Sequence, residues 1–429
     1  MRKNYNKKLY IATPLVNSIF SFLTFPLLIS KLSLEQFGQY SLILTFIAVF
    51  IVFFGFSLNQ VINANFQAWH LKREEETELY KILFFQILIS ILLSCFIMSF
   101  SFLFFTFDTK IVFFILIITI SNSFMQTLLA YFRMQEKVVV FAFLTAFPGV
   151  LNSLLKISYL YIEREYTIQM LLFIDLLSTL FIYIFLIKHI KVQYLQIRIG
   201  KEFFIDKMKF AFPLIYNALI RRFTYFYDKI LISFLFGYKA LGLYMIAYHI
   251  YNYVHLILSA YKNYWIPFII KNHEDVKSIQ RENDQIILLF FVLGVLSMLL
   301  LYPFLSFFNN GEFSYQDIMK LLPFLLVNIF FQILFFGLGT IPLIQKNTKP
   351  LYKINTINVL MSLIYGLIFV YFFGTIGAIA MLIINNLVTL YQLNRAYDTK
   401  NIKFSFIYIA LFISIYIFIG VFFENLHNS

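Results

Sequence analysis

Apolar runs of about twenty residues, separated by short polar connectors, recur along this chain from its first residues to its last. A bilayer's hydrocarbon core is about 30 Å thick, and roughly 20 helical residues cross it. Composition agrees with that reading. Of 429 residues, 61% are hydrophobic and 13% charged, whereas a soluble domain carries roughly 25% charged residues. The chain is expected to be an all-α polytopic membrane protein.

The first apolar run begins at Leu9, after a basic stretch from Met1 to Lys8, and reaches about Ser30. It is too long for a secretory signal's apolar core and lacks a small-x-small cleavage pattern, so it reads as a retained helix. Helices are predicted at about 9–30, 38–62, 80–105, 110–132, 138–160 and 166–187. A second group follows at about 208–236, 240–261, 285–308, 317–344, 353–373 and 375–394. A further apolar block at 404–423 is either a thirteenth helix or an interfacial one.

With the N-terminus inside, the inner segments carry 25 Lys or Arg and the outer connectors four, Lys31, Lys110, Arg164 and Lys239. That asymmetry is the positive-inside pattern. It accounts for most of the +13 net charge, so nucleic acid is not an expected partner. The N-terminus is placed in the cytoplasm and the chain in the cytoplasmic membrane.

The longest connectors, 188–207 and 262–284, are both cytoplasmic in this topology, and no connector is long enough to hold a soluble catalytic domain. The basic 188–207 segment joins two halves that look related. Ala12-Thr13-Pro14-Leu15 recurs as Ala211-Phe212-Pro213-Leu214, and Phe37-Gly38-Gln39-Tyr40 as Leu241-Gly242-Leu243-Tyr244. Asn122 and Gln126 match Asn328 and Gln332, Gln135-Glu136-Lys137 matches Gln345-Lys346-Asn347, and Asp175 falls opposite Asn385. Five matches in the same order mark an internal repeat. The expected organisation is a six-helix bundle over 1–200, a second over 201–396, and an extra apolar helix and tail over 397–429. Six helices per half make the repeats parallel, with a pathway expected between them.

A charge at mid-bilayer costs several kcal/mol, so it faces protein interior or a wet cavity. In helix seven, Asn217, Arg221, Thr224 and Asp228 fall within about 60° of one another at 100° per residue, with Arg222 and Lys229 about 100° around. Arg221 lies roughly 20 Å along the axis from Met208, near mid-depth. Either Arg221 and Arg222 attract an anionic head group, with Asp228 holding one in place, or an interhelical salt bridge fixes packing while Lys229 extends to the interface.

Helix five carries Thr145, Gly149, Asn152, Lys156 and Tyr159 on one stripe, and helix one carries Thr13, Asn17, Ser21 and Thr24. Both stripes read as cavity lining or as interhelical hydrogen-bonding faces. Asp175 is a proton or cation site, or the partner of a polar group on a neighbouring helix. His249 and His255 point about 120° apart and read as packing residues, so no metal site is expected. No GxxxxGK[ST] phosphate loop, HExxH or CxxC is present, and Cys95 is the single cysteine. No enzymatic activity and no cofactor is expected.

Several segments resemble polysaccharide transporters of the multidrug/oligosaccharidyl-lipid/polysaccharide exporter superfamily, which includes the Wzx-type O-antigen flippases. They are Lys31-Leu-Ser-Leu-Glu-Gln-Phe-Gly-Gln-Tyr-Ser-Leu-Ile-Leu44, Phe210-Ala-Phe-Pro-Leu-Ile-Tyr216 and Tyr227-Asp-Lys-Ile-Leu-Ile-Ser233. Ala240-Leu-Gly-Leu-Tyr-Met-Ile-Ala-Tyr248 and Gly374-Thr-Ile-Gly-Ala-Ile-Ala380 complete the set. The resemblance spans about residues 5–395.

It implies a V-shaped bundle that moves an undecaprenyl-diphosphate-linked oligosaccharide, an O-antigen or capsule repeat unit, to the outer leaflet by alternating access. Its partners would be that substrate, membrane lipids and polysaccharide polymerase machinery. Arg221, Arg222, Lys156, Asn217 and Asn17 are the candidate substrate-binding residues. The family implies coupling to a proton or sodium gradient but carries no ion site onto this chain; Asp228 and Asp175 are candidate ion-coupling or salt-bridge carboxylates by their place within the helices alone. The rivals are a multidrug exporter of organic cations, which a cationic cavity would repel, and a membrane-embedded polysaccharide polymerase, which usually needs a large outer loop.

Overall fold

The computed structural model describes residues 2–104, 108–163, 165–186, 201–272, 274–308, 311–313, 315–344 and 349–397. All elements among them are helices. They run α1 Arg2–Lys31, α2 Leu34–Gly55, α3 Leu58–Lys72, α4 Glu75–Phe104, α5 Thr109–Met134, α6 Val138–Ile162 and α7 Ile168–Leu186. Then come α8 Lys201–Lys271, α9 Val276–Phe308, α10 Tyr315–Met319, α11 Leu322–Leu338, α12 Ile341–Ile344 and α13 Lys349–Ala396. The 404–423 block, most of the 188–207 connector and the Gln345-Lys346-Asn347 match lie outside the described residues.

The helices are arranged inside out relative to a soluble protein. Along α4, Gln86 and Ser90 are buried while Phe84, Ile87, Ile91, Leu92 and Phe96 are exposed. A water-soluble helix buries its apolar stripe; here the apolar face points outward and the polar one packs, as lipid-facing helices do. Phe234, 85% exposed, makes the same point. Nine stretches among the described residues are long and apolar enough to cross a membrane, and Val16–Lys31 is a shorter apolar helix. The protein is a multi-pass, all-α membrane protein.

α8 and α13 each contain a chain reversal. The α8 backbone breaks at Gly237, with φ 81° and ψ 177°, a region open almost only to glycine. Tyr244 donates a 2.5 Å hydrogen bond to Asp228, sixteen residues away; unbroken helix would hold them about 24 Å apart. In α13 the break falls at Gly374, with φ 58° and ψ −134°. Across it Tyr365 donates to Asn385 at 3.0 Å and Asn358 to Thr389 at 2.6 Å.

Two predicted spans and one connector differ from the structure. The helix expected over 38–62 is two, because Phe56 and Ser57 take positive φ (45° and 51°) between α2 and α3. The 262–284 connector shrinks to a few residues, since α8 runs on to Lys271 and α9 begins at Val276. Those extensions are held by packing: Trp265, Ile269, Ile279 and Asn283 are buried, and Tyr261 donates to Glu282. The 317–344 span is interrupted near Lys320 and Gly339 into α10, α11 and α12, with Pro323 in the first turn of α11, where its missing N–H is harmless.

The chain packs as two units. One comprises Met1–Lys31 with Ile43–Arg222, the other Leu32–Leu42 with Phe223–Ser429. The first is centred on Leu58, Ile62, Ile82, Phe85, Leu128, Phe132, Leu144 and Ile182, joined by Ala211 and Ile215 from the start of α8. The second buries Leu241, Tyr244, Ala247, Leu258, Ile287, Phe290, Leu325 and Ile333.

Candidate functional site

In the first unit the polar stripe of α6 faces α1 on one side and α7 on the other. Asn17 of α1 donates through Nδ2 to the Thr145 carbonyl at 2.8 Å, while its buried Oδ1 has no hydrogen-bond partner. Three turns further along α6, Lys156 Nζ meets Asp175 Oδ1 at 2.6 Å. Asn152 donates to that same oxygen at 2.6 Å and to Ser178 at 3.0 Å. Lys156 and Asp175 are 6% and 9% exposed. Neither charge is left bare: two donors converge on one carboxylate oxygen, which is how a buried pair offsets its desolvation. Asp175 is thus paired across to α6, and Lys156 is buried in that pair rather than extended toward the interface.

A second polar cluster of this unit lies around Gln86 of α4. Its Nε2 donates to Ser123 Oγ at 3.2 Å, and Thr127 donates to its Oε1 at 2.9 Å. Gln86 also approaches the Phe54 carbonyl at 3.5 Å, next to the α2–α3 break. Its signal in the sequence is a glutamine within a run of Phe, Ile and Leu.

In the second unit, the completely buried Asp228 receives Tyr244 at 2.5 Å and stands 3.2 Å from Lys229 Nζ. The Lys229 ammonium lies 3.7 Å from the centroid of the Tyr248 ring, a cation–π contact of the kind that is strengthened where water is excluded. Lys229 is therefore folded inward rather than extended to the interface. Tyr251 continues the row. Its hydroxyl receives Asn328 at 3.2 Å and Gln332 at 2.9 Å, and Asn386 of α13 donates to Asn328 Oδ1 at 2.7 Å. The tyrosine hydroxyl so ties α8 to α11, and Asn328 carries the network on to α13.

The repeat-related residues have diverged. Asn328 and Gln332 are buried in that network, whereas Asn122 donates to its own helix at Ile118 and Gln126 is exposed. His249 packs its ring on Phe37, 5.9 Å between centroids, and His255 stacks on Tyr251 at 5.8 Å. Among the described residues no three His, Cys, Asp or Glu side chains gather as a metal site.

The side chains of Arg221, Asn217 and Thr224 lie outside the described residues. Arg222 is described and exposed, and among the described residues it has no ion-pair partner. It sits 13 residues beyond Lys209 and 15 before the Gly237 break, about 20 Å of helix from either. An accessible guanidinium thus stands near mid-length of the predicted 208–236 span, four residues before the apolar stretch Phe226–Ser259. Such a group requires water or an anion beside it, and its planar donor fork suits a phosphate.

A family model described as "Polysaccharide biosynthesis protein" matches residues 8–273. No curated protein matches the sequence. Among solved structures, the fold is similar to that of a multidrug resistance MATE family transporter of the MOP superfamily in an inward-facing conformation. That match has TM-score 0.66 and 13% identity, over 93% of this chain and 95% of the other. It is also similar to lipid II flippase MurJ in an inward closed conformation, with TM-score 0.61 and 18% identity over 98% of each chain. At these identities the likeness is one of fold.

Proposed function

The chain belongs to the polysaccharide biosynthesis protein family, and from that premise we propose that it is a flippase for an undecaprenyl-diphosphate-linked oligosaccharide. It would carry an O-antigen or capsule repeat unit across the cytoplasmic membrane by alternating access, with its N-terminus in the cytoplasm. The Lys and Arg asymmetry between connectors supports that orientation.

The observation that carries this reading is Arg222. An exposed cation near mid-membrane is costly unless it serves a wet, anion-accepting space, and a diphosphate supplies the charge it lacks. The interiors of both units are closed to such a role, since Lys156 and Lys229 are each held by a buried carboxylate. A family named for polysaccharide biosynthesis and a fold shared with a lipid II flippase both favour a lipid-linked glycan. The fold shared with multidrug transporters keeps organic-cation export as the rival, which a bare guanidinium opposes by like-charge repulsion.

The test is reconstitution into lipid vesicles. Movement of an undecaprenyl-diphosphate oligosaccharide between leaflets is read with an impermeant glycosidase, alongside ethidium transport in the same vesicles. Glycan-lipid movement without ethidium movement is expected. Ethidium movement alone would replace the flippase reading with the exporter one.

A further inference from the structure

Helix α3 carries a row of amide side chains along one side. Five of the ten residues from Leu58 to Gln67 are Asn or Gln, and no charged residue occurs between Leu58 and Trp69. Asn65 turns back on its own helix and donates to the Val61 carbonyl at 2.9 Å. The other four, Asn59, Gln60, Asn63 and Gln67, fall within about 100° of one another around the axis, with His70 in the same arc. The opposite side, with Leu58, Ile62, Phe66 and Trp69, is buried in the core of the first unit. The amide side is therefore turned outward: Gln67 is exposed, and Asn59, Gln60 and Asn63 are partly so.

The row is neither charged nor self-satisfied. Asn63 accepts Arg133 of α5 through Oδ1 at 3.0 Å, which orients that amide and leaves its Nδ2 group with no partner among the described residues. The side-chain amides of Gln60 and Gln67 have none among the described residues either. His70 is held by Glu75 at 3.2 Å. Charge is abundant on either side, from Lys72 to Glu76 and at Arg133, Glu136 and Lys137, so the need for a solvated face does not account for a row of neutral amides. An amide presents an acceptor and two donors in one plane, the complement of hydroxyl groups that both donate and accept. Lipid phosphates call for Lys or Arg instead, and acyl chains offer an amide no partner at all.

We propose that this row binds the sugar hydroxyls of the cargo, with Gln60, Asn63 and Gln67 as its contacts and Arg133 as the positioning residue for Asn63. The inference rests on the flippase reading and adds a saccharide subsite to the diphosphate role of Arg222. With the N-terminus in the cytoplasm, α2 runs inward from Lys31 and its 22 residues cover about 33 Å. The row then begins at the inner end of that span, where a glycan made in the cytoplasm is met first. Sites that hydrogen-bond a hydroxyl discriminate strongly against a cargo lacking it, so the row selects among glycans as well as holding one.

The photo-reactive residue benzoylphenylalanine, placed at Gln60 or Gln67 of the full chain and irradiated in glycan-producing cells, captures what lies against the row. The probe is the cell's own glycan-lipid pool, recognised in the adduct by mass and by periodate oxidation of its sugars. Adducts are expected at both positions and not at Ala68, which is exposed and faces about 100° away from Gln67. In the vesicle assay, Gln60→Ala and Gln67→Ala should each raise the KM for glycan-lipid about two- to tenfold, the loss of one hydrogen bond, with kcat retained. Arg133→Ala should raise KM likewise, and Arg133→Lys should restore part of it, because an ammonium still donates to Asn63. Phospholipid adducts alone at Gln60 and Gln67, no adduct, or equal glycan capture at Ala68 overturns the saccharide row. If a labelled chain does not insert, an unchanged KM in the Gln60→Ala/Gln67→Ala double variant overturns it alone. Glycan adducts on the row of a protein that moves no glycan-lipid would keep the subsite and remove the flippase reading.

Discussion

Lys156 Nζ and Asp175 Oδ1 meet at 2.6 Å between α6 and α7, with both side chains nearly sealed from the surface. Removing one partner of such a pair leaves an uncompensated buried charge, at about 3–5 kcal/mol. Lys156→Met or Asp175→Leu alone should therefore strongly lower the midpoint of thermal unfolding in detergent. The double variant should recover most of the loss. A double variant no better than its worse parent would show that the charges are not each other's main partners.

Arg222→Ala should reduce glycan-lipid movement in vesicles at least about tenfold, the effect of losing one charge-assisted contact of 1.5–3 kcal/mol to a phosphate. Arg222→Lys should retain part of the activity, because the charge persists while the planar fork is lost. Insertion and unfolding temperature should be unchanged, since the side chain is exposed. Native transport by Arg222→Ala would take this residue out of the pathway.

Tyr251→Phe deletes the hydroxyl that receives Asn328 and Gln332. Two buried amide groups would lose an acceptor, at about 1–3 kcal/mol each when left unsatisfied. A clear drop in unfolding temperature is expected, with smaller effect from Tyr248→Phe, whose ring is what Lys229 contacts. Equal stability of native and Tyr251→Phe proteins would mean that the hydroxyl is not what fastens α8 to α11.

Ser57 holds φ 51° between α2 and α3, a left-handed backbone that costs a non-glycine residue about 1–2 kcal/mol. Ser57→Gly should stabilise the protein slightly and Ser57→Val should destabilise it, both by thermal unfolding. The order Gly above Ser above Val is the signature of backbone strain. Any other order would point to lost side-chain packing.

The membrane class, the helical spans and the repeat were legible because each is written in long apolar periods that no local contact overrides. The reversals at Gly237 and Gly374 fell between predicted helices for the same reason. The break at Phe56 and Ser57 was hidden, since the apolar run continues through it and only Gly55 marks the place. The ends of α8 and α9 were missed because Lys and Arg there suggest a loop, while burial of Trp265 and Asn283 holds helix. At the site, the stripe holding Asn152 and Lys156 could be read from spacing, but the choice of Asp175 as its partner depends on how α7 docks. Tyr244, Tyr248 and Tyr251 gave no signal in a chain with 29 tyrosines.

Leu32–Leu42 packs with the second unit through Gly38 and Gly242, where a Cβ on either would overlap a carbonyl oxygen beside the other. The two glycines are 204 positions apart, 242 less 38, and that separation has a consequence for biogenesis. At 5–20 residues per second of synthesis, α2 waits on the order of 10–40 seconds before its packing surface has been made. Over that interval the start of α2 has bare backbone where Tyr238 and Gly242 will later sit, so its placement is settled after insertion of the first half. A nascent chain stalled before residue 238 should accordingly leave Leu32–Leu42 open to protease or chaperone, while the helices of the first unit are already in the bilayer.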